Sequence, residues 1–248
     1  MSVIDSVTAA ILIVTFIATI FRSTFGFGEA LIAVPLLAIW LPLNVAVPLS
    51  VLVSVTIAAV IVVHDRNRIH IRSAGGLILF TLIGIPIGLF LLLRANEDVV
   101  KAILGIVLIA FSLYLLLGKQ LKELKKDSIA WLFSCGFLAG ILGGAYGING
   151  PPLVIYGAMR RWSAQHFRAT LQGYFLVAGI IGLIGYWITG MINSSLIHYY
   201  ILTLPVVIPG IFIGRWLNHR LSGEGFYKYV YFILGCIGTF LVIKSLTK

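Results

Sequence analysis

Two short segments carry residues able to do chemistry within a strongly apolar chain. The first reads Phe21-Arg22-Ser23-Thr24-Phe25-Gly26-Phe27-Gly28-Glu29-Ala30. Arg22 offers a full positive charge on a planar fork of donors, suited to carboxylate, sulfonate or sulfite oxygens. Ser23 and Thr24 add neutral donors. The second reads Gly143-Gly144-Ala145-Tyr146-Gly147-Ile148-Asn149-Gly150-Pro151-Pro152, where Tyr146 and Asn149 do the same. Glycines let a backbone turn and approach a ligand closely. Proline suits the first turn of a helix, where its missing N–H has no partner anyway. One helix is therefore expected to start near Gly28 or Glu29 and another at Pro151.

Helix starts of this kind present unpaired N–H groups and a partial positive charge. Two of them brought together form an anion cradle. The candidate binding residues are Arg22, Ser23, Thr24, Phe25, Gly26, Gly28, Tyr146, Asn149, Gly150 and Pro151. Gly140, Gly143 and Gly144 read instead as helix-packing positions, where small residues let backbones approach. Glu29, a lone carboxylate among apolar residues, is a candidate proton carrier. A charge inside a membrane needs a partner, so a mutual Arg22–Glu29 ion pair is an equally weighted reading. The two are compatible, since Glu29 can hold Arg22 and release it to an anion.

The surrounding composition says what must position these residues. The 248 residues are 60% hydrophobic, with 18 basic and 8 acidic side chains. A soluble domain of this size would carry roughly 60 charges. Mean hydropathy is +1.08. These values exclude a soluble enzyme, a disordered chain and a nucleic-acid binder, and indicate an all-α polytopic membrane protein. The net charge of +10 then reports topology, because the basic residues sit in short loops. Cys135 and Cys236 read as free buried thiols, and the five histidines show no metal-ligand spacing. No cofactor or metal is expected. The N-terminal segment lacks the basic start of a signal peptide, so the first apolar run is expected to be retained.

A helix needs about 20 residues to cross about 30 Å of hydrocarbon. Charge-free runs, split at Pro42, at residues 147–152 and at residues 190–195, predict ten helical elements. They lie near 4–22, 28–41, 45–63, 74–93, 99–117, 129–146, 151–160, 169–189, 196–217 and 226–246; the second and seventh are short. Segments 64–72, 118–128, 160–168 and 215–228 hold thirteen Lys and Arg, whereas the other loops and ends hold Arg94, Lys101, Lys244 and Lys248. The positive-inside rule places the first group in the cytoplasm and both termini in the periplasm. Trp40, Trp131, Trp162 and Trp187 read as interfacial anchors, and His64, His70 and His198 as solvated. Arg168 reads as snorkelling to the interface, or as a guard at the cytoplasmic mouth.

Sliding the chain by 121 residues lays Phe16-Ile17-Ala18 on Phe137-Leu138-Ala139 and Gly26 on Gly147. With a five-residue insertion, Gly84 and Gly88 meet Gly210 and Gly214, and Arg94 meets Arg220. The loop count gives the two halves opposite orientations. The expected architecture is two inverted-topology repeats, each a broken-helix hairpin plus three transmembrane helices. Repeat one spans 1–117, a cytoplasmic linker 118–128, and repeat two 129–248. Such repeats with broken helices at matching positions mark secondary transporters with a midplane site.

At these hairpins the chain resembles the sulfite exporter TauE/SafE family. The resemblance is carried by Gly26-Phe27-Gly28-Glu29 with Pro35-Leu36-Leu37, by Gly143-Gly144-Ala145-Tyr146-Gly147 with Gly150-Pro151-Pro152-Leu153-Val154, and by Phe167-Arg168-Ala169-Thr170. It covers both halves, although Phe27 and Glu29 stand where the family more often has consecutive glycines. It implies transport of sulfite, sulfonates, sulfoacetate-like compounds or other small organic anions across the bacterial inner membrane. The expected partners are a small anionic substrate and the lipid bilayer, with a homodimer left open and no nucleic acid. No nucleotide motif is present, so coupling would come from ion or substrate gradients. A passive anion channel, a carboxylate permease of the same architecture, an intramembrane enzyme and a non-transporting scaffold are the rival readings.

Overall fold

A computed structural model describes residues 6–65, 69–117, 123–220, 235–236, 238–240 and 242–243. The helices in chain order are α1 (Ser6–Phe25), α2 (Glu29–Leu37), α3 (Leu43–Asp65), α4 (Ile71–Arg94), α5 (Glu97–Leu117), α6 (Ile129–Tyr146), α7 (Gly150–Met159), α8 (Ala164–Ile188) and α9 (Ser194–Arg220). The described residues form an all-helical protein. Six helices (α1, α3, α4, α6, α8 and α9) are long and apolar enough to cross a membrane. The tenth element expected at 226–246 lies largely outside the described residues, as does 118–122 of the linker.

The ends of several helices depart from expectation. α8 starts at Ala164 rather than 169, because Ser163 caps it by accepting the His166 N–H at 3.4 Å. α1 runs on through Arg22 to Phe25, and α9 runs on to Arg220. At Arg22, splitting at the charge ends the helix too early, because the guanidinium finds partners inside the protein.

The short helices α2 and α7 have 9 and 10 residues. Each is about 15 Å long, half the hydrocarbon thickness. Both are entered through left-handed glycines. Gly26 (φ 86) and Gly28 (φ 94) make the α1–α2 turn, and Gly147 (φ 68) closes α6. The Gly147 and Ile148 N–H groups reach back to the Gly143 and Leu142 carbonyls at 2.8 and 3.2 Å. Asn149 stands at the N-cap position of α7 without a side-chain capping bond; the helix starts at Gly150, one residue before Pro151.

Two glycine-lined crossings knit the first four helices to the last four. On α4, Gly84 and Gly88 face Gly140 and Gly144 of α6, and a Cβ on any of them would overlap backbone of the opposite helix. On α9, Gly210 lies against Thr19 and Gly214 against Ile20 and Ser23 of α1. Close approach of this kind replaces the hydrophobic drive that lipid removes. Gly143 differs from its neighbours, because its missing Cβ makes room for the Asn149 amide. Helix α3 packs on α8 at the centre, and α1·α2 and α6·α7 form the two hairpins.

Other polar and aromatic expectations resolve locally. Asp127 is not a free linker charge: it accepts from Ser73 at 3.1 Å and Tyr156 at 2.7 Å and pairs with Arg160 at 3.0 Å. This fastens the linker's end to α4 and α7. Trp40, Trp131 and Trp187 are exposed, whereas Trp162 stacks on His70 with ring centroids 5.5 Å apart. Cys135 is buried, but Cys236 is exposed, so the expectation of two buried thiols is corrected for the second.

Candidate functional site

The last turn of α1 carries Arg22 into the interior, where it is 3% exposed. Its Nη1 donates to Ser54 Oγ on α3. Its Nη2 donates to Gln172 Oε1 on α8 at 2.9 Å. The guanidinium lies 4.7 Å from the Phe175 ring centroid, a cation–π arrangement. Glu29, in the first turn of α2, accepts from Ser50 Oγ on α3 at 2.8 Å. A carboxylate at that end of a helix is favoured by the backbone dipoles. The two charges approach to 3.7 Å between Nη1 and Glu29 Oε2. That is an ion pair but too long for a hydrogen bond. Arg22 Nε and Glu29 Oε2 are both buried and have no hydrogen-bond partner.

A cavity of about 20 Å³ lies beside this pair, bounded by Arg22, Glu29, Ser54 and Phe175 on one side and by residues 147–150 on the other. The N-terminal ends of α2 and α7 both meet it. Its volume suits about one water molecule. An oxyanion with three oxygens is larger than this volume. In this arrangement the site is closed around its own ion pair, and the two charges facing the cavity sum to zero.

Of the residues expected to bind, Arg22, Gly28, Asn149 and Gly150 line the cavity together with Glu29. Asn149 is held in place by donating to the Ala139 carbonyl at 3.1 Å. The remaining expected residues do not line the cavity. Thr24 Oγ1 donates to the Ile20 and Gly214 carbonyls at 2.7 and 3.2 Å, facing α9. Ser23 packs against Gly214. The Phe25 ring lies on Phe21, with centroids 4.5 Å apart. The Gly26 carbonyl accepts from Gln172 Nε2 at 2.8 Å, and Pro151 is buried in the first turn of α7. Tyr146 points away from the cavity, its hydroxyl donating to the Val100 carbonyl on α5 at 2.9 Å.

Ser50, Ser54, Gln172 and Phe175 belong to the site and were not among the expected residues. Ser50 and Ser54 are one helical turn apart on α3, and Gln172 is an amide inside an apolar span. That is a faint signal, because hydroxyls in these helices also bond their own backbone, as Thr56 and Thr81 do at 3.0 and 2.9 Å.

The family model described as sulfite exporter TauE/SafE matches residues 11–241. A probable membrane transporter protein of Methanocaldococcus jannaschii is 25% identical over 254 aligned positions, covering 94% of each chain. No solved structure matches the chain at a significant level.

Proposed function

The chain belongs to the sulfite exporter TauE/SafE family, and we propose that it is a secondary transporter carrying a small oxyanion, such as sulfite, a sulfonate or a sulfoacetate-like compound, together with a proton. The observation that carries this reading is the buried Arg22–Glu29 pair, loose at 3.7 Å, with one donor and one acceptor unpartnered beside a cavity that two helix N-termini share. An anion oxygen satisfies Arg22 Nε and the N–H groups of α2 and α7. For a monoanion the charge balance requires the proton. Arg22 and Glu29 already cancel, so a buried monoanion would leave the site with a net negative charge, which a low-dielectric interior strongly disfavours. A proton on Glu29 restores neutrality, frees Arg22 for the anion and gives Oε2 a hydrogen to donate.

Alternating access has a ready basis in the packing. Exchanging α1–α4 with α6–α9 turns the α1·α9 crossing into the α6·α4 crossing and one hairpin into the other. Gly84 and Gly88 serve α4 as Gly210 and Gly214 serve α9. This supports two repeats joined by the 118–128 linker. With the distribution of basic residues, it supports inverted topology in the inner membrane with both termini outside. Opening one hairpin against the other would expose the cavity to one side at a time.

The test is a thermal-shift screen of purified protein against sulfite, thiosulfate, sulfonates and carboxylates. A true ligand at 100 times its dissociation constant should stabilise by about 2.7 kcal/mol. Stabilisation by carboxylates alone would replace the sulfur-anion assignment with a carboxylate permease, and no stabilisation by any anion would overturn the transport reading.

A further inference from the structure

Counting hydrogens around Asn149 shows which end of its amide the cavity meets. The side chain lies in the space left by the missing Cβ of Gly143, and Nδ2 donates to the Ala139 carbonyl at 3.1 Å. A carbonyl only accepts, so the NH2 end faces α6. A second hydrogen bond joins the Asn149 and Tyr174 side chains. Its direction follows from Thr81, which with Tyr174 is fully buried. Thr81 Oγ1 lies 2.9 Å from both the Leu77 and Gly136 carbonyls and 2.6 Å from the Tyr174 hydroxyl. The single Thr81 hydrogen is taken by those carbonyls, so the Tyr174 hydrogen goes to Thr81. The Tyr174 oxygen can then only accept from Asn149. Both amide hydrogens are spent, one on Ala139 and one on Tyr174, and Oδ1 is what the amide has left. Oδ1 makes no capping bond to α7. An N-cap oxygen engages the N–H of the second or third helical residue, and here these are Pro151 and Pro152, which have none.

We propose that Asn149 is a specificity-determining residue that accepts a hydrogen bond from the substrate, and that the site therefore prefers small oxyanions bearing a hydroxyl group, such as a hydroxysulfonate or a hydroxycarboxylate, over anions of equal size without one. This rests on the reading of the chain as an anion transporter and names the substrate class of the same cavity. The 121-residue offset lays Arg22 on Gly143, Gly28 on Asn149 and Glu29 on Gly150, so the second hairpin brings a neutral amide where the first brings an ion pair. The cavity is accordingly two-sided, with Arg22 and Glu29 on one wall and Asn149 on the other. The charged oxygens of a substrate turn to the Arg22 wall, and its hydroxyl donates to Asn149 Oδ1. An anion ending in a methyl group would instead bury that oxygen unpaired, which is how a polar site rejects an analogue lacking the hydroxyl. Tyr174 and Thr81 touch no substrate; they are positioning residues that hold the NH2 end of the amide away from the cavity.

The experiment is calorimetry on the full chain purified in detergent, with two pairs of anions matched in size and differing by a hydroxyl in place of a methyl group: isethionate against propane-1-sulfonate, and glycolate against propionate, with sulfite alongside. In at least one pair the hydroxylated member should bind about tenfold or more tightly, the penalty of leaving a buried acceptor unpaired. This comparison is made on the unaltered protein and needs no variant to fold. In Asn149→Ala the preference should fall to within about twofold. Tyr174→Phe, which leaves the amide nitrogen held at Ala139 alone, should narrow the preference without abolishing it. Equal affinity within both pairs in the unaltered protein overturns the proposal. So does a preference that survives intact in Asn149→Ala, since the hydroxyl is then met by another acceptor. Either result leaves the transport reading standing; failure of all four anions and of sulfite to bind overturns both.

Discussion

Arg22 and Glu29 face each other at 3.7 Å in the interior, yet Arg22 Nε and Glu29 Oε2 have no hydrogen-bond partner. Each charge is instead oriented by neighbours from other helices: Ser54 and Gln172 for the guanidinium, Ser50 for the carboxylate. A stabilising buried pair would normally close to hydrogen-bonding distance and satisfy its remaining lone pairs and protons. This one is held apart, which leaves both groups available to a third.

Arg22→Ala is expected to weaken anion binding by about 30-fold to several thousand-fold, the equivalent of about 2–5 kcal/mol for truncating one member of a buried charge pair. Arg22→Lys keeps the charge but loses the fork, and should be milder. Calorimetry on the double variant Arg22→Ala with Glu29→Ala separates ligand from structural pair. Near-native affinity there would remove Arg22 from the site and leave the backbone cradle alone.

Glu29→Gln is expected to abolish pH-driven accumulation while anion exchange remains measurable. If the bound state holds one more proton than the free state, linkage makes anion affinity rise as pH falls. That dependence should vanish in the variant. Accumulation that keeps its pH dependence in Glu29→Gln would make Glu29 structural and send the proton elsewhere.

Gly88→Ala should destabilise the fold by about 1–3 kcal/mol, as overpacking does, because its Cβ would overlap the Ile141 carbonyl oxygen across the α4–α6 crossing. Gly75→Ala, on the same helix with nothing within 4 Å of the added Cβ, should be neutral. Thermal unfolding of detergent-solubilised variants compares the two, and equal behaviour would contradict the crossing.

Both termini are expected outside and the 118–128 linker inside. In a background with Cys135 and Cys236 replaced, a membrane-impermeant thiol reagent applied to intact cells should label Ser2→Cys and spare Lys122→Cys. The reverse pattern would overturn the inverted-repeat reading.

The membrane class, the helix count of each hairpin and the two turn segments follow from the sequence because their causes are local. Apolar length sets a span, the left-handed Gly147 closes α6, and Pro151 suits the first turn of α7. Arg22 and Glu29 could likewise be singled out, since a charge in apolar sequence must be met by something. What meets it is not local. Ser54 and Gln172 lie 32 and 150 residues from Arg22 along the chain, and nothing in their own neighbourhoods distinguishes them from hydroxyls and amides that bond backbone. Tyr146 and Asn149 show the same division. Both sit beside the second turn, but α6 rolls the tyrosine toward Val100 on α5, while Asn149, beyond the left-handed Gly147, is directed to the cavity. Gly143 and Gly144 are adjacent glycines, one making room for an amide and the other for a helix. A residue's type and spacing decide what it is able to do; the rotation of its helix against partners distant in sequence decides which group it reaches, and that is fixed only when the helices pack.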